Sequence, residues 1–230
     1  TPVTLYLKDY APPAWLVDTV DLFVSLRDDH AEVRARLACR RNPAGKGGAL
    51  VLDGEALELC SVVVDGVVHA AGAYDYAHGK LTIPGVLPEQ VTLETVVRIA
   101  PDKNTQLSGL YRSRDGYFTQ CEAEGFRRIT FFPDRPDVMA KFSCTVEADR
   151  ARFPHLLSNG NPVERGDLDG GRHFALWDDP FPKPTYLFAL VAGDLAAVTD
   201  HFVTASGRKV DLGIYVERGK ENRCAWAMQS

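Results

Sequence analysis

The chain has 230 residues, of which 45% are hydrophobic and 25% charged, a globular composition rather than a disordered one. A chain of this length buries roughly 70% of its unfolded surface, enough for a core without staples. The formal net charge of −5 gives no electrostatic footprint for nucleic acid.

Arg34, Arg36 and Arg40 recur at even positions of an alternating segment, as a solvated face would place them. No apolar run reaches transmembrane length and no signal-peptide core is seen, so neither nucleic acid nor membrane is an expected partner. Five cysteines, an odd number without a C-x-x-C spacing, predict separate reduced thiols. The start at Thr1 without a methionine and the stop at Ser230 read as trimmed ends.

Period-2 alternation dominates the chain. Val20, Leu22, Val24 and Leu26 predict one strand, and Val33, Ala35, Leu37 and Cys39 a second, joined by the polar turn Asp28-Asp29-His30. Further strands are expected at 50–52, 57–64, 67–70, 81–83 and 91–99, with Asp65-Gly66 suiting a type I′ hairpin turn. The pattern resumes at 142–148 and around Phe174 and Leu176. The apolar run 186–192 predicts a strand buried on both faces, and a last hairpin spans 200–217. One short helix is expected after Asp134, with Pro136 in its first turn and Met139 inward. The fold class is all-β, a sandwich or a pair of curved antiparallel sheets.

A complete catalytic set is missing from the sequence. There is no H-E-x-x-H and no pair of histidines at metal-ligand spacing. Gly45-Lys46-Gly47-Gly48 lacks the frame of a phosphate-binding loop, Asp167, Asp169 and Gly170 lack the closing Glu of a calcium loop, and G-x-S-x-G does not occur. Cys121 has no nearby histidine and reads as an inert thiol.

The segment YFTQCEAEGFRRITFFPDRPDV, residues 117–138, crowds charges among aromatics. If residues 118–124 are extended, Gln120, Glu122 and Glu124 share one face and Cys121 and Ala123 the other; Gln120 and Glu122 then stand roughly 6.6 Å apart along the strand. A carboxylate beside an amide suits an α-ammonium: Glu122 supplies charge and Gln120 a neutral acceptor. An amine with a pKa of about 8 is largely protonated at neutral pH, so such a site selects free N-termini. The same alternation more commonly marks the solvent face of an edge strand, and Glu124 stays with that reading. Arg127, Arg128, Asp134 and Asp137 are expected to form ion pairs bracing the turn.

TQCEAEGFRRITFFPDRPDVMAKF at 119–142 resembles the N-terminal domain signature of the zinc aminopeptidases of the aminopeptidase N family, in its bacterial form. KDY at 8–10, LVLDGEALELCSV at 50–62, LLSNGN at 156–161, DPFPKPTYLFALVAGDL at 179–195 and WAM at 226–228 resemble the same group, so the likeness covers essentially the whole chain. The resemblance implies a saddle-like all-β domain at 1–194 that binds the free amino group of a peptide with Gln120 and Glu122. It implies that 195–230 are the first strands of a thermolysin-like catalytic domain, whose zinc ligands and general base are not in this sequence. Zinc then belongs to the parent enzyme, and this stretch alone is expected to bind none and cleave nothing. The implied partners are peptides with a free N-terminus and the catalytic and C-terminal domains of the same polypeptide, in the cytoplasm. The rival reading is a non-enzymatic β-sandwich interaction module with residues 117–138 as its binding corner.

Overall fold

Alternating burial sets the frame of the molecule, a computed structural model that describes residues 6–230. The long strands β1 (Trp15–Leu26) and β2 (Ala31–Arg41) pair with Leu22 opposite Ala35 and Val24 opposite Val33. These side chains are buried while Arg34 and Arg36 face solvent, the two-residue period expected of a half-buried sheet. There follow β3 (Leu50–Asp53), β4 (Glu58–Val64), β5 (Val67–Val68), β6 (Asp75–Ala77), β7 (Lys80–Ile83) and β8 (Gln90–Ile99). Asp65 and Gly66, with φ of 49° and 80°, occupy the left-handed positions that a type I′ turn between β4 and β5 requires.

The second half of the chain supplies β9 (Gly109–Ser113), β10 (Gly116–Gln120), β11 (Met139–Asp149), β12 (His155–Ser158), β13 (Asn161–Leu168), β14 (Arg172–Pro184), β15 (Leu190–Gly193), β16 (Leu195–Val203), β17 (Lys209–Glu217) and the short helix α1 (Ala225–Gln229). An eight-stranded sheet has the order β13-β14-β11-β1-β2-β8-β4-β5, a four-stranded sheet the order β12-β15-β10-β9, and a three-stranded sheet the order β3-β7-β6. The fold class is all-β, as expected. Pairing is antiparallel throughout most of the large sheet, but β1 and β11 run parallel, with Leu22 beside Cys144.

One apolar core joins the inner faces of these three sheets, from Trp15 through Leu52, Leu93 and Tyr117 to Ala192. Phe126, Phe132, Phe142 and Phe188 form its aromatic centre, with Phe126 edge-on to the other three at 5.3–5.8 Å between ring centroids. The hairpin of β16 and β17 is a separate two-stranded sheet and lies outside that core. On the outer face Arg36 stands 3.9 Å from Asp21 and 3.6 Å from Glu94, cross-strand neighbours on either side, so the arginine-rich face is solvated and locally neutralised.

Two local expectations differ from the structure. Residues after Asp134 form a turn at Pro136 and Asp137 rather than a helix. The Asp134 N–H is drawn away to Asp53 Oδ2 at 3.1 Å, Val138 N–H reaches back only to the Arg135 carbonyl at 3.1 Å, and Met139 points outward. The run 186–192 is not one strand either. Thr185–Leu187 is a 3₁₀ turn closed by Phe188 N–H on the Thr185 carbonyl at 3.0 Å, and only its end belongs to β15.

Candidate functional site

Gln120 ends β10, opposite Gly109 of β9, and the extended conformation expected for residues 118–124 stops there. Cys121 drops its side chain into the core. Gly125 N–H then donates to the Cys121 carbonyl at 2.8 Å, closing a turn over residues 121–125 that feeds the 3₁₀ helix Phe126–Arg128. The peptide bond between Glu122 and Ala123 is cis. Because β10 ends at Gln120 and residues 122–125 are turn, Glu122 stands beyond the strand end, and the strand-rise spacing from Gln120 does not apply. Only glycine fits at 125, because a Cβ there would lie 2.3 Å from the Gln120 carbonyl oxygen.

Charge pairing separates the side chains of this segment into two kinds. Glu124 meets Arg127 at 3.2 Å, Arg128 pairs with Glu55, and Arg135 holds Asp137 at 2.7 Å. The pairing of Arg127, Arg128 and Asp137 is as expected, whereas Glu124, read as a solvent-face residue, joins the brace as a partner of Arg127. Gln120 and Glu122, both exposed, have no side-chain hydrogen bond or ion pair among the described residues, in contrast to these neighbours.

The centre of the brace is Asp134, whose side chain is 1% exposed. Its Oδ2 accepts from the Arg127 backbone N–H at 3.2 Å and from Arg127 Nε at 3.0 Å. Arg127 Nη2 donates to the Asp134 carbonyl at 2.9 Å, and Thr185 Oγ1 donates to Asp134 Oδ1. Asp53, paired with Lys80, faces Arg127 Nη1 at 3.9 Å. Burial works against the charge on Arg127, but its bond to Asp134 and the nearby Asp53 and Glu124 outweigh this and push its pKa above the ordinary guanidinium value. Sequence reading found Arg127 and Asp134 but missed Asp53, Thr185 and Gly109. Asp53 ends one apolar run and Thr185 opens another, signals that name no partner until the chain is folded, and Gly109 carries no such mark.

Cys121 is held inert: burial pushes its thiol up to about 12. Asp167 pairs with Arg150 rather than completing a cation loop. Among the described residues no three His, Cys, Asp or Glu side chains stand together as a metal would need, and no helix is long and apolar enough to cross a membrane. A cavity of about 530 Å³ is lined by Arg112, Arg114, Phe118, Arg152, Asp194 and Arg218 among others, and not by Gln120 or Glu122. Gln120, at the end of β10, and Glu122, on the turn beyond it, are both presented to solvent.

The sequence matches the Peptidase M1 N-terminal domain family over residues 20–187. Aminopeptidase N of Caulobacter vibrioides is 51% identical over 230 residues, covering 100% of this chain and 26% of that protein. Aminopeptidase N of Escherichia coli is 46% identical over 229 residues, with the same shares. The crystal structure of Legionella pneumophila aminopeptidase A in complex with aspartic acid matches with a TM-score of 0.91 at 34% identity, over 96% of this chain and 26% of that one. This chain therefore spans about a quarter, 26%, of the length of these relatives. The matched region runs from within β1 to the turn before β15 and contains Gln120, Glu122 and the whole brace beneath them, so the chain belongs to the M1 peptidase N-terminal domain family.

Proposed function

We propose that this chain is the substrate-anchoring domain of a zinc aminopeptidase, with Gln120 and Glu122 binding the free α-amino group of a peptide. The observation that carries the reading is the division of charges at 117–138. Glu124, Arg127, Arg128, Asp134, Arg135 and Asp137 are all paired, while Gln120 and Glu122 are presented to solvent with none of that pairing. An exposed carboxylate on a fixed turn can accept a charge-assisted hydrogen bond from an ammonium without first giving up a partner. Gln120 Oε1 accepts a second ammonium N–H, and the two acceptors fix where the amino end lies, so that only the first peptide bond reaches the reacting centre.

That centre is not in this chain. The residues present do not fit a zinc ion, since no cluster of three ligand-type side chains is found among the described residues. In this reading the metal and the general base belong to further domains of the same polypeptide. Residues 1–194 are the anchoring domain and 195–230 begin the next one. The separate β16–β17 sheet, which lies outside the core, supports that boundary, and five unpaired cysteines are compatible with work in the reducing cytoplasm.

Titration of the chain with a free dipeptide and with its N-acetylated form, followed by NMR, tests the anchor. Shifts at Gln120, Glu122 and their neighbours with the free peptide alone are expected. Equal shifts with both peptides would remove the basis for recognition of the ammonium.

A further inference from the structure

We propose that Asp134 is a positioning residue for the amino-end anchor: it holds Arg127 in place, which fixes the turn bearing Glu122 and keeps the guanidinium away from that carboxylate. The proposal rests on the anchoring role of Glu122.

Arg127 is the cation that follows Glu122 most closely along the chain, five positions on. An exposed, unpartnered carboxylate beside a free guanidinium would pair with it, and the anchor would be plugged before any peptide arrived. The structure prevents this by engaging the Arg127 donors elsewhere. The backbone N–H and Nε go to Asp134 Oδ2, Nη2 goes to the Asp134 carbonyl and faces Glu124, and Nη1 faces Asp53. Three carboxylates thus surround one guanidinium.

Asp134 is itself immobilised. Its side chain is 1% exposed, its N–H donates to Asp53 Oδ2 at 3.1 Å, and its Oδ1 accepts from Thr185 on the segment after β14. A carboxylate so deeply buried is costly unless its charge and lone pairs are met, so it keeps Arg127 firmly. The turn is pinned independently on its other side. Gly125 and Gly109 approach so closely that a Cβ on Gly125 would meet Gly109 N at 2.9 Å and one on Gly109 would meet Arg128 Cβ at 2.7 Å. Glu122 is therefore carried on a support fixed at two points, and the Asp134 side of it holds the cation that follows Glu122 most closely along the chain.

The test is steady-state kinetics of the full-length gene product on a free-amine dipeptide amide, with melting of each variant as a control. Asp134→Asn is expected to raise KM about 5- to 10-fold with kcat within about 2-fold, the signature of lost ground-state anchoring. In a Glu122→Ala background the same change should have no further effect, because the two act through one contact. Removing the released cation, in Asp134→Asn with Arg127→Gln, should recover much of the KM. Thr185→Val, which loosens Asp134 without altering charge, should raise KM about 2-fold and covers the case in which Asp134→Asn fails to fold. Losses that multiply with those of Glu122→Ala, or that fall on kcat in step with a lower melting point, would overturn the positioning role while leaving the anchor intact. An unaffected kcat/KM in Glu122→Ala would overturn both.

Discussion

Gly125 and Gly109 meet backbone to backbone: a Cβ on Gly109 would come within 3.0 Å of the Gly125 carbonyl oxygen, and one on Gly125 within 2.9 Å of Gly109 N. The turn bearing Glu122 is thereby seated on strand β9. Either residue replaced by alanine should destabilise the chain by roughly 2–4 kcal/mol, since the close neighbours are backbone atoms and the Arg128 Cβ, none of which can swing aside. Gly170→Ala makes the contrast. Its φ is +71° with nothing within 4 Å, so only backbone strain of about 1 kcal/mol is expected. Chemical denaturation of the three variants checks the order, and a Gly125→Ala variant as stable as Gly170→Ala would contradict the close packing.

The pair Arg135 and Asp137 gives a pH signature. The hydrogen bond from Arg135, with a further one from Tyr10, holds the Asp137 carboxyl below its ordinary value, against a burial effect that raises it. A folded pKa below the unfolded one means stability that is present above the ordinary aspartate value and lost as pH falls through the lowered one. Asp137→Asn should therefore cost about 0.5–1 kcal/mol at neutral pH, modest because both partners are partly solvated. The difference from the parent chain should shrink on acidification below the ordinary aspartate value and vanish once the pH has fallen through the lowered one. A gap that stays constant down the acid limb would show that the pair contributes packing rather than charge.

Lys183 is the opposite case. Its Nζ lies 3.9 Å from the Phe142 ring centroid and 2.8 Å from Asp179 Oδ2, close enough for charge pairing but misdirected for a hydrogen bond. Burial lowers its pKa more than Asp179 restores it. The unfolded chain then holds the proton more tightly, so stability should rise as pH climbs from the lowered value through the ordinary lysine value. Asp179→Asn alone leaves a buried cation and should cost about 2–4 kcal/mol, while Asp179→Asn with Lys183→Met should be close to neutral. Thermal melts of the single and double variants decide this: a double variant no better than the single one would refute it.

Much of the frame was legible in the sequence because period-2 burial is written in local order. The β1–β2 hairpin, β8 and the Asp65-Gly66 turn are where Val, Leu and Asp-Gly patterns put them. The candidate site was legible by residue type and not by conformation. Gln120 and Glu122 are exposed as expected, but alternation does not reveal that the chain leaves the sheet after Gln120, since Gly125 must first meet Gly109, sixteen positions away. The helix misplaced after Asp134 failed for a related reason: Asp53, in another sheet, takes the Asp134 N–H that a helix start would have left to its own chain. The apolar run at 186–192 bends because Thr185 turns there to reach Asp134. Each departure is a long-range contact overriding a local pattern.

The most direct measurement is kcat/KM of Glu122→Ala in the full-length gene product, on a peptide with a free amino end and on its N-acetylated form. One charge-assisted hydrogen bond to an ammonium is worth roughly 1.5–3 kcal/mol, so the free-amine substrate should lose about 10- to 100-fold and the acetylated one, already poor, should barely change. Equal losses on both substrates, or no loss on either, would contradict the assignment of Glu122 as the acceptor of the amino end.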